Sequence, residues 1–172
     1  MRALGALGEH AKEHAGAIAA LLEHEDEDVR QAAVEALGAL GEHAKEHAEA
    51  MAALLEHEIR YVRLAAALTL GALGEHAKEH AGAIAALLED ESWHVRQAAV
   101  DALGNLREHA KEHAGAMVAR LEDENWEVRK GAFRALGAVG EHAKEHAGAI
   151  AARLKDDDED VRKAAVRALG LE

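Results

Sequence analysis

The amino-acid sequence predicts an all-α fold, a right-handed α-solenoid of stacked antiparallel helix pairs. Three observations support this prediction. The octet GEHAKEHA begins at Gly8, Gly41, Gly74 and Gly140, and a copy that differs only in its first residue begins at Arg107. The same sequence therefore recurs every 33 residues. Proline and cysteine are absent, while alanine, leucine and glutamate are abundant, which is typical of a helical chain. Each unit also contains two stretches in which apolar residues follow helical spacing.

The chain is predicted to form one domain of five repeats preceded by a partial helix. The boundaries follow from the octet, and the leading heptapeptide MRALGAL matches the end of a unit, FRALGAV at 133–139. The partial helix covers 1–7 and the repeats cover 8–40, 41–73, 74–106, 107–139 and 140–172, within a single domain over 1–172. The terminal units lack the polar outer faces that usually close a solenoid. We therefore expect a tendency to associate end to end.

The first helix of each unit is indicated by an apolar stripe. In the first repeat, Ala11, Ala15, Ile18 and Leu22 recur at steps of four, three and four residues. This spacing places the four side chains on one face of a helix. We expect that face to be buried and the intervening charged residues to face water.

The second helix of each unit follows an acidic turn. Val29, Ala33 and Leu37 form its apolar stripe, and Gly38 is expected to end it because glycine tolerates the backbone conformation found there. Neither helix can bury its stripe alone, so the units must stack, with the second helices lining one face. Its first turn is preceded by a column of side chains that accept hydrogen bonds from free N–H groups. This column consists of Asp26, Ser92, Asn125 and Asp158.

The whole chain resembles a known repeat class. The text LLEHEDEDVRQAAVEALGALG, with its acidic turn, its Val29-Arg30 pair and its Ala-Leu-Gly ending, resembles a HEAT repeat of the short class also found in phycobilisome-lyase-type proteins. The Val-Arg pair returns in every unit, at 29, 62, 95, 128 and 161. Near-identical units without proline resemble consensus-derived or designed artificial HEAT-like proteins.

The resemblance implies a ladder of ion pairs between neighbouring units, in which a repeated arginine joins turn acids. The arginine column here is Arg30, Arg63, Arg96, Arg129 and Arg162, and the acid column is Asp90, Asp123 and Asp156. His24 and His57 replace the acid in the first two units. The ladder is therefore expected to be incomplete there.

Charge and composition restrict the partners. A formal net charge of −13 disfavours nucleic acid, because phosphate binding depends on clustered lysine and arginine. The sequence contains neither an 18-residue apolar run nor a secretory leader, so we expect no membrane partner and no export. This pattern suits recombinant cytoplasmic expression and leaves the localisation undefined. Without cysteine the chain forms no disulfide and no zinc-thiolate site.

The octet carries two histidines four residues apart. On an α-helix such a pair projects from one side and could chelate Zn, Ni or Cu through neutral imidazoles. An alternative is that one histidine of each pair fills a half-buried position beside the core and the other completes the surface. No other cofactor is expected. The pairs are His10 with His14, His43 with His47, His76 with His80, His109 with His113 and His142 with His146.

The second repeat departs most from the internal consensus, and such departures mark candidate functional positions. Apolar side chains occupy three columns of its second helix that are polar in every other unit, and the capping column carries isoleucine. Aromatic residues bordered by charged groups follow in the next two units, a composition that protein interfaces favour. An alternative is that these positions only tolerate irregular packing. The candidate partner-binding residues are Ile59, Tyr61, Leu64, Leu68, Trp93, His94 and Trp126.

Enzymatic activity is not expected. The single serine, Ser92, occupies a cap and the single threonine, Thr69, lies in the altered second repeat. No phosphate-binding glycine loop or pocket-closing insertion is present. The sequence therefore predicts a protein-binding or self-assembling scaffold that uses the face formed by the second helices. The alternative is metal-directed assembly through the histidine pairs.

Overall fold

A computed structural model describes residues 14–21, 24–26, 28–30, 32–33, 36, 48–140 and 145–171. The predicted partial helix and most of the first octet lie outside these residues. Within them the chain forms helices and turns and no strand, as expected for an all-α fold. No described helix combines the length and apolar character that a membrane span needs.

The α-helices alternate between short and long segments. The short ones have six residues each, and the long ones have ten to fourteen. Numbered in chain order among those with described bounds, they are α1 (Ala15–Ala20), α2 (Ala48–Ala53), α3 (Arg60–Leu73), α4 (Ala81–Ala86), α5 (Trp93–Leu106), α6 (Ala114–Ala119), α7 (Trp126–Ala138), α8 (Ala147–Ala152) and α9 (Glu159–Ala168).

The first helix of each pair is a composite. In the third repeat, Gly74–His80 forms a 3-10 helix, α4 follows it, and Leu87–Glu89 forms a second 3-10 turn. The fourth repeat has the same order, with a 3-10 helix over Arg107–His113. Only one side chain of Gly74–His80 is buried, Ala77, so little core packing opposes this tighter winding.

The predicted apolar stripe of the first helix is buried. Its equivalents in the third repeat are Ala77, Ala81, Ile84 and Leu88, and all four are at most 5% exposed. They contribute to one continuous hydrophobic core. The stripe is therefore confirmed, although it runs through 3-10 and α segments rather than one uninterrupted α-helix.

The long helices stack side by side. Helix α3 packs on α5, α5 packs on α7, and α7 packs on α9. Val62, Ala66 and Leu70 of α3 are fully buried, as are the corresponding residues of α5 and α7. Because each long helix buries its stripe against the next, the units form a continuous solenoid.

The expectation that the Ala-Leu-Gly glycine ends the second helix is wrong. Gly38 lies outside the described residues, but its equivalents Gly71 and Gly104 lie inside α3 and α5. A Cβ atom on Gly71 would stand 2.8 Å from the Ala102 Cα atom, so this glycine permits close approach of the next helix. The residue with a positive φ angle comes three residues later, at Gly74 with φ 51°.

The capping prediction is confirmed at three positions and wrong at one. Side-chain oxygens of Asp26, Asn125 and Asp158 accept hydrogen bonds from N–H groups two residues further on. The Ser92 side chain makes no such bond. The side chain of Ile59 has no hydrogen-bond acceptor, so Ile59 provides no cap either. It is partly buried and packs against the core.

Candidate functional site

Paired arginines and aspartates join successive units beside the acidic turns. Arg63 donates from Nε and Nη2 to the two carboxylate oxygens of Asp90, at 2.7 and 3.0 Å. Arg96 makes the same two bonds to Asp123, at 2.8 and 3.0 Å. The pair of Arg129 and Asp156 repeats this geometry at 3.1 and 2.7 Å. A contact between successive units beside the acidic turns is called a joint, and the ladder implied by the resemblance is present at all three of these joints.

Each ladder residue also stabilises its own turn. Arg96 donates from Nη1 to the carbonyl oxygens of Asp90 and Glu91, at 2.9 and 3.2 Å. Asp123 accepts the N–H of Asn125 at 3.0 Å. Hydrogen bonds to the partner aspartates raise the pKa of the Arg63 and Arg96 guanidinium groups above the ordinary value. The ladder therefore couples the turn of one unit to the turn of the next.

The two histidines in the acid column preserve the turn. His24 Nδ1 accepts the N–H of Asp26 at 3.1 Å, and His57 Nδ1 accepts the N–H of Ile59 at 3.0 Å. An imidazole supplies no carboxylate, and the Nε atom of Arg30 is buried without a hydrogen-bond partner. The first joint thus lacks the bidentate ion pair that the later joints contain, as the sequence predicted.

The aliphatic and tryptophan side chains among the predicted partner-binding residues separate into two groups. Ile59, Leu64 and Trp93 are half-buried and pack against the hydrophobic core. Leu68 and Trp126 are exposed large apolar side chains, with exposed fractions of 40% and 39%. The apolar surface available to a partner is therefore smaller than the sequence suggested, and Leu68 is its most accessible residue in the second repeat.

The aromatic residues lie beside cations or a histidine ring. Half-buried Tyr61 has the Arg60 guanidinium carbon 4.8 Å from its ring centroid. Trp93 stacks on exposed His94 with ring centroids 3.7 Å apart. Lys130 lies 5.3 Å from the Trp126 ring centroid. Each of these aromatic rings therefore has a cation or an imidazole against it on the second helices.

An open groove of about 910 Å³ crosses the carboxyl-terminal halves of α3, α5 and α7. Glycines and alanines of the three helices form much of its lining, which leaves space between the larger side chains. Exposed Leu68 contributes from α3 and buried Val100 from α5. Among the described residues, this groove brings the second helices of three successive units to one surface.

Three charged residues line the groove. Asp101 of α5 forms an ion pair with Arg134 of α7 and accepts a hydrogen bond from Gln97 at 3.0 Å. Arg107 is exposed and forms no ion pair with a described carboxylate. Arg107 is not among the site residues predicted from the sequence. The available signal was that its octet alone does not begin with glycine.

The structure does not bring the described histidine pairs together in the expected way. His76 and His80 lie on a 3-10 helix, where residues four apart point about 120° away from each other. His76 is exposed, whereas His80 is half-buried with Nε2 3.9 Å from a Glu49 carboxylate oxygen. His109 and His113 follow the same pattern.

Two further histidines of the predicted pairs lie among the described residues. His14 is exposed in a turn and His146 is half-buried. In the part of the chain that the structure describes, no three His, Asp or Glu side chains gather closely enough to hold a metal ion. Metal binding stays a prediction, and its other residues, His10, His43, His47 and His142, lie outside the described residues.

Residues 15–81, 48–114 and 80–170 match the family model of HEAT repeats. The chain belongs to the HEAT-repeat family. The match covers more than half of this HEAT-repeat protein and includes every described joint of its ladder. No curated protein is detectably similar to it in sequence.

Solved structures share the fold of this HEAT-repeat protein. A designed armadillo repeat protein in complex with the peptide (KR)4 is 20% identical, with a TM-score of 0.71 over 97% of this chain and 87% of that one. An engineered protein is 22% identical, with a TM-score of 0.65 over 89% and 76%. The complex of CpcE and CpcF of phycocyanin lyase from Nostoc sp. PCC7120 is 25% identical, with a TM-score of 0.70 over 88% and 62%.

Proposed function

We propose that this protein is a binding scaffold that holds a peptide segment of a partner protein in the groove of its second helices. The observation that carries the proposal is the open groove of about 910 Å³ across three successive units. It combines an exposed apolar side chain, Leu68, with the charged residues Asp101, Arg107 and Arg134. A concave surface of this kind offers both apolar burial and directional polar contacts.

Two further observations support a peptide as the occupant. The groove follows the direction in which the units stack, so a longer segment can contact several units at once. The designed armadillo repeat protein that shares this fold is in complex with a peptide. We propose no catalytic activity, since the family is a repeat scaffold.

The proposal is tested by selecting peptides from a phage-displayed random library on the immobilised protein. We expect enriched sequences that bind the wild type and lose binding to the variant Leu68→Glu. An acidic residue is compatible with this column, because Asp101 occupies the equivalent position of α5. Failure to enrich any peptide, or equal binding to both proteins, would contradict the proposal.

The groove variant is preferable to a change at Leu64. Leu64 packs against the core, so an aspartate there would destabilise the fold as well as alter the surface. Circular dichroism should show the same unfolding transition for Leu68→Glu and the wild type. Loss of binding would then report on the surface alone.

Self-association is the other way in which the same face could act. We expect light scattering to give a mass that rises with protein concentration if a second copy occupies the groove. The variant Leu68→Glu would then remain monomeric. A monomeric wild type at every concentration, together with enriched peptides, would assign the groove to a different protein.

A further inference from the structure

Arg107 adopts a backbone conformation that disfavours its side chain. Its φ angle is 54°, and it is the one described residue other than glycine with a positive φ. The equivalent residues Gly74 and Gly140 also have positive φ angles, of 51° and 65°. Every other octet of the sequence begins with glycine, so the fold itself does not require arginine here. A strained residue where an unstrained one would serve is a candidate for function.

Arg107 lies where two recesses of the surface meet. It lines the groove that Leu68 also lines, and it lines an adjoining recess of about 590 Å³. Glu75 and Glu108 line the adjoining recess and not the groove. The guanidinium of Arg107 forms no hydrogen bond or ion pair with the described chain, so its donors are available to a ligand.

The charges that line the groove have an excess of arginine. Asp101 is neutralised within the structure by its ion pair with Arg134. Arg107 therefore leaves the lining of the groove, which also includes exposed Leu68, with one unpaired positive charge, while Glu75 and Glu108 lie in the adjoining recess. This local charge is opposite to the formal net charge of −13.

We propose that the groove selects an extended acidic peptide, of which a carboxylate binds Arg107 and an apolar side chain contacts Leu68. This inference rests on the proposed function and names the chemistry of its partner. A planar guanidinium with free donors matches a carboxylate, and the pairing gives direction to an otherwise apolar contact. A basic peptide would be attracted by the net charge of the molecule but would meet repulsion at Arg107.

The experiment measures fluorescence anisotropy with three fluorescein-labelled peptides, which alternate Glu with Leu, Lys with Leu, and Glu with Ser. We expect the Glu-Leu peptide to bind most tightly. The variant Arg107→Gly should weaken that peptide about tenfold, while its folding is favoured by the glycine. The control Lys111→Ala removes one exposed lysine outside the groove and should leave the affinity unchanged.

The outcomes separate this inference from the proposed function. Preference for the Lys-Leu peptide, or equal binding of the Glu-Leu peptide to Arg107→Gly and wild type, would overturn the acidic specificity. The groove could still bind a peptide selected from the random library, and the proposed function would stand. If neither the library nor any of the three probes gives binding that depends on Leu68, both proposals fail.

Discussion

At the scale of single residues, Arg107 carries a measurable conformational cost. A side chain at a φ of 54° crowds the backbone, whereas glycine adopts this conformation readily. We expect Arg107→Gly to raise the free energy of unfolding by about 1 kcal/mol. Urea denaturation followed by circular dichroism measures this change.

The matched control for that prediction is the equivalent position of the preceding unit. Gly74 has a φ of 51°, and its Cβ would have space, with its nearest neighbour 3.9 Å away. Gly74→Ala should therefore destabilise through backbone conformation and not through a clash. If both substitutions leave the urea midpoint unchanged, conformational strain at this position is negligible.

The histidine at the first joint leads to a second prediction. Because Arg30 has a buried Nε atom without a partner, His57→Asp should supply the missing carboxylate and increase stability by about 1 kcal/mol near pH 7. The equivalent pair of Arg63 and Asp90 shows the geometry expected for the new contact. Urea denaturation at pH 7 measures the gain.

His57→Asn is the control for this ladder prediction. The asparagine Oδ1 atom can accept the Ile59 N–H that His57 Nδ1 accepts now. An asparagine there can maintain the turn without gaining an ion pair to Arg30. Equal stabilisation by the two substitutions would mean that turn formation, rather than the ladder, is responsible.

At the scale of helices, the glycines have opposite roles that depend on their neighbours. Gly71 faces Ala102 so closely that an added Cβ would be 2.9 Å from the alanine Cβ. Gly82 of α4 has no atom within 4 Å of the equivalent position. Gly71→Ala should therefore destabilise the protein by about 1 to 3 kcal/mol through overpacking. Gly82→Ala should stabilise it by about 0.5 to 1 kcal/mol.

Thermal or urea unfolding of the two glycine variants measures this contrast. Both substitutions add one methyl group within an α-helix, so a difference in sign isolates the effect of the neighbouring unit. The equivalent residue of the second repeat, Glu49 of α2, already shows that a side chain is tolerated at the Gly82 position. A stabilising Gly71→Ala would show that α3 and α5 can separate at little cost.

The sequence predicted the helix pairs because their apolar periodicity is strong and repeats in every unit. It did not predict that Gly74–His80 winds as a 3-10 helix, since this depends on how little of the octet is buried. It misplaced the helix end at Gly71 because close approach of Ala102 is a tertiary effect. For the same reason it treated half-buried Leu64 as surface and did not include Arg107 in the site.

At the scale of the whole molecule, the ladder links stability to acid. Burial is the largest influence on Asp156 and acts to raise its pKa, but hydrogen bonds from the Arg129 guanidinium and the Asp158 N–H outweigh it. The pKa of Asp156 is therefore lowered. A carboxylate with a lowered pKa stabilises the fold above its unfolded pKa of about 3.9, and this contribution is lost as the pH falls through the folded value.

We therefore expect the free energy of unfolding to decrease as the pH falls below about 4. Urea denaturation at a series of pH values measures this dependence. The variant Asp156→Asn removes the titrating group and should be less stable at pH 7, with a shallower decline in acid. A wild type and variant with parallel pH profiles would show that this joint contributes nothing to acid sensitivity.

Each arginine reaches its aspartate across 27 residues by the same geometry. Unequal recombination between repeats would therefore create junctions that are chemically equivalent to existing ones. Excision of 41–73 would even align Arg30 with Asp90, replacing an imidazole by a carboxylate at the new junction. The array can thus change its length, and with it the number of units along the groove, while every junction keeps the same contacts.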